Sequence, residues 1–390
     1  MIDRFITPRL LDDLAHTPVC VLVGPRQVGK TTLAQQIRTR LSTESIYLDL
    51  ELISDVQVLD NAQSFLESHE SECLIIDEVQ RKPELFSLLR ALVDQNRRPG
   101  RFLLLGSASP DLIRHSSDSL AGRVSYLELA PFSLSEVHTQ ISWREHWFRG
   151  GFPEPLLATI PQRVGRWIDN FISAFVERDL RPLGYQVGTP TLTRLLQMLT
   201  TVHGNLLNMS DLSRSMGVSV PTIGGYLDLL EGGFLIRRLP PYFANVSKRL
   251  VKSPKLYIRD SGMLHRLALV RSFDELQTHI LLGASWEGYV IEQLRRTAFE
   301  TDFYFYRTQA GAECDLFVVL PDGRKACIEI KFADVPKLTR GFYESVIDLQ
   351  PDFRYVVVPQ GYTYITSEGV TICPLPVFLQ TVWPDWTGQT

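Results

Sequence analysis

The sequence lacks several features that would place it in a specialised class of protein. No segment is an uninterrupted apolar run of roughly eighteen residues, the length that crosses a bilayer, so we expect no membrane contact. The first residues carry neither the basic start nor the long apolar stretch of a secretory signal, which favours a cytoplasmic protein. Internal repeats and low-complexity stretches are also missing.

Cysteine is scarce and follows no ligand pattern. The five cysteines show no Cys-x-x-Cys or Cys/His spacing, and two of them fall within predicted buried strands. We therefore expect small core residues in a reducing compartment, not a disulfide framework or a zinc site. The five are Cys20, Cys73, Cys314, Cys327 and Cys373.

Excess charge is missing as well. A net charge of −4 provides no general attraction to nucleic acid or acidic membranes, so any such contact would have to be local. A chain of 390 residues with 44% hydrophobic residues supports a sizeable core. Because one hydrophobic core rarely covers that length, we expect about two or three domains.

A phosphate-binding motif follows the first strongly apolar run. Residues 24–31 read GPRQVGKT and match G-x-x-x-x-G-K-[ST], between a strand-like run and a helix-like segment. Glycines let backbone N–H groups line an anion-binding nest, towards which the helix directs its positive dipole end. Lys30 would neutralise β/γ oxygens, and the Thr31 hydroxyl would complete a Mg²⁺ shell. The predicted nucleotide-binding residues are Gly24, Pro25, Arg26, Gln27, Val28, Gly29, Lys30, Thr31 and Thr32, with Arg26 either on a phosphate or solvated.

A second apolar run, 73–76, ends in two carboxylates, Asp77 and Glu78. Phosphoryl transfer needs an acid that organises Mg²⁺ and a group that activates the attacking nucleophile. We expect Asp77, with Thr31, in the metal shell and Glu78 as the water-activating acid. The two segments together predict an NTPase.

Apolar β-rich runs alternate with helical patterns through the first third of the chain. Near-continuous apolar strands separated by helices predict a parallel sheet covered on both faces, an α/β fold. We assign residues 1–135 to a P-loop domain of this kind, with the nucleotide at the carboxyl ends of its strands. The runs are 19–23, 46–50, 74–76, 102–105 and 124–129.

Residues 136–270 predict a helical and winged-helix region. An amphipathic helix begins at Pro161, and helical stretches 192–202, 209–216 and 220–230 precede two extended segments. The third stretch carries no Lys or Arg, which excludes base readout by those side chains. We therefore expect packing against a subunit or a domain, or contact with DNA or RNA backbone only. The basic residues on and after the wing, which contact phosphate or form a solvated face, are Arg237, Arg238, Lys248, Arg249, Lys252 and Lys255.

Residues 271–386 predict a second α/β domain with its own acidic constellation. Glu313 and Asp315 share one face of a strand, and Glu329 and Lys331 share a face of the next, because alternate residues point the same way. Glu287 lies on the preceding helix. Three of these carboxylates suit a Mg²⁺ or Mn²⁺ site, with Lys331 on the attacking water or the developing charge. The predicted site residues are Glu287, Asp315, Glu329 and Lys331. An ion-paired, solvated hairpin face gives the same residue pattern.

The chain as a whole resembles the uncharacterised prokaryotic AAA+-like ATPases that carry a winged-helix region and a C-terminal PD-(D/E)XK nuclease-like domain of unknown function. The resemblance implies ATP as the nucleotide, an ATPase core and a nuclease-like tail. Beyond the phosphate loop, it is carried by residues 120–123 (LAGR), 127–133 (LELAPFS), 150–154 (GGFPE), 177–180 (ERDL), 311–315 (GAECD) and 328–331 (IEIK).

The resemblance also implies roles for single residues. Ser107 occupies a sensor position for the attacking water or γ-phosphate, and Arg123 is an arginine finger or sensor that requires a homo-oligomer if it acts in trans. Arg178 is a weaker candidate for the same role. We expect an ATP-hydrolysing switch or motor. The alternatives are an ATP-gated, metal-dependent nuclease acting on DNA or RNA, or a nucleotide-controlled interaction module with an inactive tail and an unidentified protein partner.

Overall fold

The computed structural model describes residues 2–107, 120, 122–180, 188–243 and 248–388. For residues 107, 161, 162 and 178–180 it describes the backbone alone. The chain divides into two compact units, the first formed by residues 1–132 with 232–234 and the second by residues 133–231 with 235–390.

The first unit contains a five-stranded parallel sheet in which all five predicted runs form strands. The strand that precedes the phosphate loop is buried along its whole length. Val19 and Val21 pack into the core on one face of the sheet, whereas Cys20 and Leu22 pack into the core on the other, as the two-residue period of a strand requires. In the order β2-β3-β4-β1-β5, the strands are β1 (Val19–Gly24), β2 (Ser45–Asp49), β3 (Cys73–Asp77), β4 (Phe102–Ser107) and β5 (Val124–Glu128).

Helices connect these strands. The helix after the phosphate loop begins at Lys30, directly after Gly29, whose backbone is left-handed with φ of 101°. Short 3₁₀ turns span Leu59–Asn61 and Val79–Arg81. The described helices of this unit are α1 (Thr7–His16), α2 (Lys30–Arg38), α3 (Ile53–Val58), α4 (Ala62–Ser68) and α5 (Leu85–Gln95).

The second unit begins with a mainly helical region. Trp167 and Phe171 on its long helix are buried and their rings stack 5.1 Å apart, so this aromatic stripe is a packing surface, as predicted. A π-helical turn, Phe175–Leu180, follows that helix. The helices are α6 (Leu134–Val137), α7 (Trp143–Arg149), α8 (Pro153–Leu157), α9 (Pro161–Ala174), α10 (Thr189–Thr201), α11 (Met209–Met216), α12 (Val220–Gly232), α13 (Ser261–Leu267) and α14 (Phe273–Thr278).

A small antiparallel sheet accompanies these helices. Its strands are β6 (Asn205–Leu206), β7 (Ile236–Leu239) and β8 (Lys255–Ile258), with β8 in the middle. The three predicted helical stretches and both extended segments therefore form, while the winged-helix assignment stays a prediction.

The last third of the chain forms a mixed six-stranded sheet. The order is β13-β14-β12-β11-β10-β9, with β9, β10 and β11 antiparallel and β11, β12 and β14 parallel. The elements are α15 (Leu282–Arg296), β9 (Asp302–Arg307), β10 (Glu313–Val319), β11 (Lys325–Ile330), α16 (Arg340–Leu349), β12 (Phe353–Val358), β13 (Tyr364–Ile365), β14 (Thr371–Pro374), α17 (Leu375–Val377), a π-helical turn (Phe378–Val382) and α18 (Trp383–Thr387).

The helical region and this sheet share one hydrophobic core. Trp147 of α7 and Tyr257 of β8 belong to the same buried cluster as Trp286 of α15 and Leu316 of β10. The two compact units do not separate at residue 270, where we predict a domain boundary. The boundaries of the three domains stay predictions.

Two global expectations can be compared with the structure. All five cysteines are buried and unbridged, as predicted. Across the described ranges, no helix combines the length and apolarity that a membrane span needs.

Candidate functional site

The phosphate loop joins the carboxyl end of β1 to the start of α2. A Cβ atom at Gly24 would lie 2.3 Å from the carbonyl oxygen of Leu129, so no side chain fits there. Gly29 has the left-handed backbone that glycine adopts most readily. Sequence and packing therefore agree on why these two positions are glycine.

Lys30 is almost completely buried, with 6% of its surface exposed. Its ammonium group donates hydrogen bonds to the carbonyl oxygens of Gly24, at 2.9 Å, and Pro25, at 3.0 Å. Carbonyl oxygens of the loop itself therefore hold the Lys30 ammonium group. Among its neighbours, Val28 is fully buried, Arg26 is half-buried, and Gln27 and Thr32 are exposed.

Thr31 and Asp77 are in direct contact. The Thr31 hydroxyl donates a hydrogen bond to Oδ2 of Asp77 at 2.6 Å, and Asp77 is 3% exposed. The hydroxyl of Tyr47 on β2 donates to the same oxygen at 2.7 Å. Burial first, then the hydrogen bond and charge of Asp77, raise the pKa of Tyr47, which keeps this donor protonated. No motif in the sequence identifies Tyr47 as part of this site.

Glu78 lies at the end of β3 in a strained backbone conformation. Its φ of 55° is uncommon for a residue other than glycine, and such strain concentrates at functional sites. The side-chain amide of Gln80 donates to Oε2 of Glu78, and Oδ1 of Asp77 accepts from the Glu78 backbone N–H at 2.9 Å. Both acids at this strand end are therefore held in place.

Arg4 is a second residue that sequence reasoning misses. Its guanidinium donates to the carbonyl oxygen of Val28 at 3.0 Å and to that of Ala130, and it lies 4.5 Å from the ring centre of Phe132. The buried arginine therefore ties the phosphate loop to the segment that follows β5. Its position before α1 gives no sequence signal of this role.

The predicted sensor residue, Ser107, and the predicted arginine finger, Arg123, lie at opposite ends of the parallel strands. Ser107 pairs in register with Gly24, which places its backbone beside the start of the loop. Its side chain, like that of Arg178, lies outside the described residues. Arg123 precedes β5, whose first residue pairs with Val19, so it lies at the amino-terminal edge of the sheet. It forms a bidentate ion pair with Asp94 at 2.6 and 2.9 Å.

Most of the basic residues near the wing already have acidic partners. Arg237 pairs with Glu292, Arg238 with Asp228 and Glu231, Lys248 with Asp348, and Lys255 with Glu287 and Glu313. Only Arg249 and Lys252 of the six lack such a pair within the described part of the chain. The local basic surface expected for DNA or RNA is thus much reduced.

The three acids expected to converge in the second unit, together with Glu313, form one group linked by lysine contacts. Glu287 on α15, Glu313 and Asp315 on β10 and Glu329 on β11 form a group that we call the carboxylate cluster. Lys331 contacts Oε1 of Glu329 at 2.7 Å and Oδ2 of Asp315 at 3.6 Å. An unexpected second lysine, Lys255, enters from β8.

Burial raises the pKa of two members of the carboxylate cluster. For both Glu287 and Glu329, desolvation is the main cause and the neighbouring Asp315 adds to it. Within the described residues, no group of three or more His, Cys, Asp and Glu side chains has an arrangement that could hold a metal ion. The second metal site therefore stays a prediction.

Three family models match successive parts of the chain. Residues 16–138 match a model described as an AAA domain. Residues 140–274 and 282–378 match two models that are each described as a domain of unknown function. The predicted AAA character of the first third is confirmed, whereas the winged-helix and nuclease-like assignments stay predictions.

Relatives that match most of this chain occur among bacterial proteins. Uncharacterized proteins of Mycobacterium tuberculosis and Mycobacterium bovis are each 40% identical to this chain over 378 residues, which cover 97% of this chain and 85% of theirs. An uncharacterized protein of Haemophilus influenzae is 26% identical over 318 residues, 73% of this chain and 78% of its own.

Solved structures show partial similarity. The Walker-type ATPase of Pyrococcus abyssi has a TM-score of 0.46 and 15% identity, and the match covers 68% of this chain and 96% of that protein. A RuvB variant of Thermotoga maritima has a TM-score of 0.33 and 20% identity, with 61% and 90% covered.

Proposed function

We propose that this chain, which belongs to the family of the two mycobacterial proteins, binds ATP with Mg²⁺ in its AAA domain and hydrolyses it as a molecular switch or motor. The observation that carries the proposal is the contact between Thr31 and Asp77. It joins the hydroxyl of the phosphate loop to the carboxylate at the end of β3, the two oxygen donors that a nucleotide-bound Mg²⁺ would need.

The residues around the loop fit a bound triphosphate. The loop excludes side chains at Gly24 and keeps the Lys30 ammonium at its own carbonyl oxygens, from which it can turn to phosphate oxygens. Thr31 and Asp77 offer hard oxygen ligands suited to Mg²⁺. When held by Thr31 and Asp77, Mg²⁺ would supply positive charge that stabilises the charge developing on the phosphate.

The remaining residues would act on the attacking water and the γ-phosphate. Glu78 would accept a proton from the water, oriented by the hydrogen bond from Gln80. Ser107, at the start of the loop by strand register, would hold the water or the γ-phosphate. Because Arg123 lies at the other edge of the sheet, its contribution would come from a neighbouring copy in a homo-oligomer.

Titration calorimetry with ATP and a phosphate-release assay test this proposal. We expect Lys30→Ala to abolish nucleotide binding, and Glu78→Gln to retain binding but lose turnover. Arg26→Ala, which removes the other cation of the loop, is the matched control and should have a smaller effect. Undiminished ATP affinity in Lys30→Ala would defeat the proposal, and a parallel titration with GTP would test base preference.

The second unit suggests a nuclease-like tail that does not cut. The order α15, β9, β10, β11, α16, β12, with Glu287, Asp315 and the Glu329-x-Lys331 pair, supports a nuclease-like fold. We nevertheless favour a nucleotide-controlled interaction module over an ATP-gated nuclease, because a second lysine, Lys255, already contacts the carboxylate cluster.

A cleavage assay separates the two alternatives for the tail. Plasmid and oligonucleotide substrates would be incubated with Mg²⁺ or Mn²⁺, with and without ATP, and with Asp315→Ala as control. We expect no cleavage above the level of Asp315→Ala. Cleavage by the wild type that Asp315→Ala abolishes would establish the nuclease instead.

A further inference from the structure

Lys255 reaches the carboxylate cluster from a rigid position. It lies on β8, the middle strand of its sheet, and pairs in register with Leu206 of β6 and Leu239 of β7. Its side chain is 3% exposed. A residue fixed on both sides by strand pairing and buried at its tip is a built-in part of the cluster, unlike a mobile surface lysine.

The ammonium group contacts carboxylates from two elements. Its Nζ lies 3.1 Å from Oε1 of Glu287 on α15, and 3.2 Å from Oε1 of Glu313 and 3.8 Å from Oδ1 of Asp315, both on β10. On the same face of β8, the hydroxyl of Tyr257 donates to Oε1 of Glu287 at 2.5 Å. Two donors from one strand therefore occupy the oxygen atoms that face β8.

A divalent metal ion would require these same oxygen atoms. Mg²⁺ binds oxygen ligands at about 2.0–2.1 Å. An ammonium group hydrogen-bonded to the same oxygen atoms would occupy that position and repel the metal ion. We propose that Lys255 is the resident cation of the carboxylate cluster and that it excludes a divalent metal ion from it. This inference goes beyond ATP hydrolysis and does not depend on it.

The charges around Lys255 support its role as a permanent cation. Carboxylates of Glu287, Glu313 and Asp315 all lie within 4 Å of its ammonium group. Nζ also lies 5.6 Å from the ring centre of Phe305. On the other side of the cluster, Lys331 contacts Glu329 and Asp315. Each carboxylate of the cluster therefore contacts a lysine ammonium group.

Mn²⁺ titration of the nucleotide-free full-length protein, followed by electron paramagnetic resonance, tests the inference. We expect no Mn²⁺ bound at the cluster in the wild type. In Lys255→Met the carboxylates are released from the ammonium group and can turn towards a metal ion, so we expect about one ion per chain. The double variant Lys255→Met/Asp315→Asn should lose that ion. Lys255→Arg, which keeps a cation, and Lys252→Met, which removes an exposed lysine outside the cluster, should bind none.

Two results would overturn the inference. One is Mn²⁺ binding by the wild type that Asp315→Asn abolishes, and the other is a folded Lys255→Met protein that binds no Mn²⁺. If Lys255→Met fails to fold, Lys255→Met/Glu313→Gln removes one opposing charge and keeps Glu287, Asp315 and Glu329, and the same expectations apply to it. Because the assay contains no nucleotide, a failure of the ATPase proposal would not change its outcome.

Discussion

The hydroxyl of Thr31 and Oδ2 of Asp77 lie 2.6 Å apart, although 46 positions of the chain separate the two residues. The parallel order of β1, β4 and β3 brings them together, because parallel strands align their carboxyl ends at one edge of the sheet. Tyr47 from the neighbouring β2 shares the same oxygen atom.

We predict that Tyr47→Phe weakens the use of Mg²⁺ while leaving the fold intact. The substitution keeps the ring but removes a hydrogen bond to a carboxylate, and such bonds contribute about 1.5 kcal/mol or more. The Mg²⁺ concentration for half-maximal ATP hydrolysis should rise roughly tenfold. Tyr126→Phe on β5 is the control, and an unchanged Mg²⁺ dependence in Tyr47→Phe would contradict a positioning role.

We predict that Gly24→Ala destabilises the first unit. The new methyl group would lie 2.3 Å from the carbonyl oxygen of Leu129, and relief requires movement of backbone. Overpacking of this kind costs about 1–3 kcal/mol. The free energy of unfolding of the first unit and the affinity for ATP should therefore both decrease. Gly225→Ala, where a Cβ meets nothing within 4 Å, is the control and should be neutral or stabilising. Equal behaviour of the two variants would contradict the clash.

We predict that Arg123→Ala retains ATP binding but loses hydrolysis, on the order of 10³-fold for an arginine finger. If Arg123 acts in trans, mixing Arg123→Ala with Glu78→Gln should restore part of the turnover, since some interfaces would combine intact residues from both. Asp94→Ala removes the observed partner of Arg123 and serves as control. If Asp94→Ala loses as much ATP hydrolysis as Arg123→Ala, and the mixture regains none, Arg123 has a structural role only.

We predict that the second unit loses stability as the pH falls below about 6.5. Burial lowers the pKa of His203 to about 3 and that of His265 to about 4. Both imidazoles are neutral in the folded state and satisfied by hydrogen bonds, His203 with Ile258 N–H and Ala284 O, and His265 with Phe148 O and the Ser285 hydroxyl.

The sign follows from proton binding. Below pH 6.5 the two histidines bind protons in the unfolded chain but stay neutral in the folded protein. Each histidine should therefore lower the free energy of unfolding by roughly 2 kcal/mol at pH 5. Tryptophan fluorescence during urea unfolding reports this unit, since all six tryptophans lie within it. His265→Gln should flatten the pH profile and the exposed His138→Gln should not. An identical slope in wild type and His265→Gln would contradict the prediction.

Much of the fold follows from local pattern. All five parallel strands of the first unit and the helices from residue 189 to 232 form close to where the apolar pattern predicts them. The phosphate loop and Asp77 can also be predicted from the sequence, because a motif of fixed spacing encodes a local backbone shape. The roles of Tyr47 and Arg4 cannot be predicted in this way. Tyr47 contacts Asp77 because of the strand order, and Arg4 contacts Val28 because distant segments pack together.

The second unit illustrates the same limit. Alternation along β10 and β11 predicts that Asp315, Glu329 and Lys331 converge, and they do. The sequence assigns Lys255 to a basic surface, yet the sheet of β6, β7 and β8 delivers it to the carboxylate cluster instead.

Local sequence is enough to predict most of the strands and helices, the phosphate loop and the acids near it, because backbone propensity and side-chain periodicity act over a few residues. Which charged groups contact one another depends on the tertiary structure. The partners of Lys255 and Arg123 are remote in the chain, and the attraction between two charges depends on their separation in space and on how fully water is excluded.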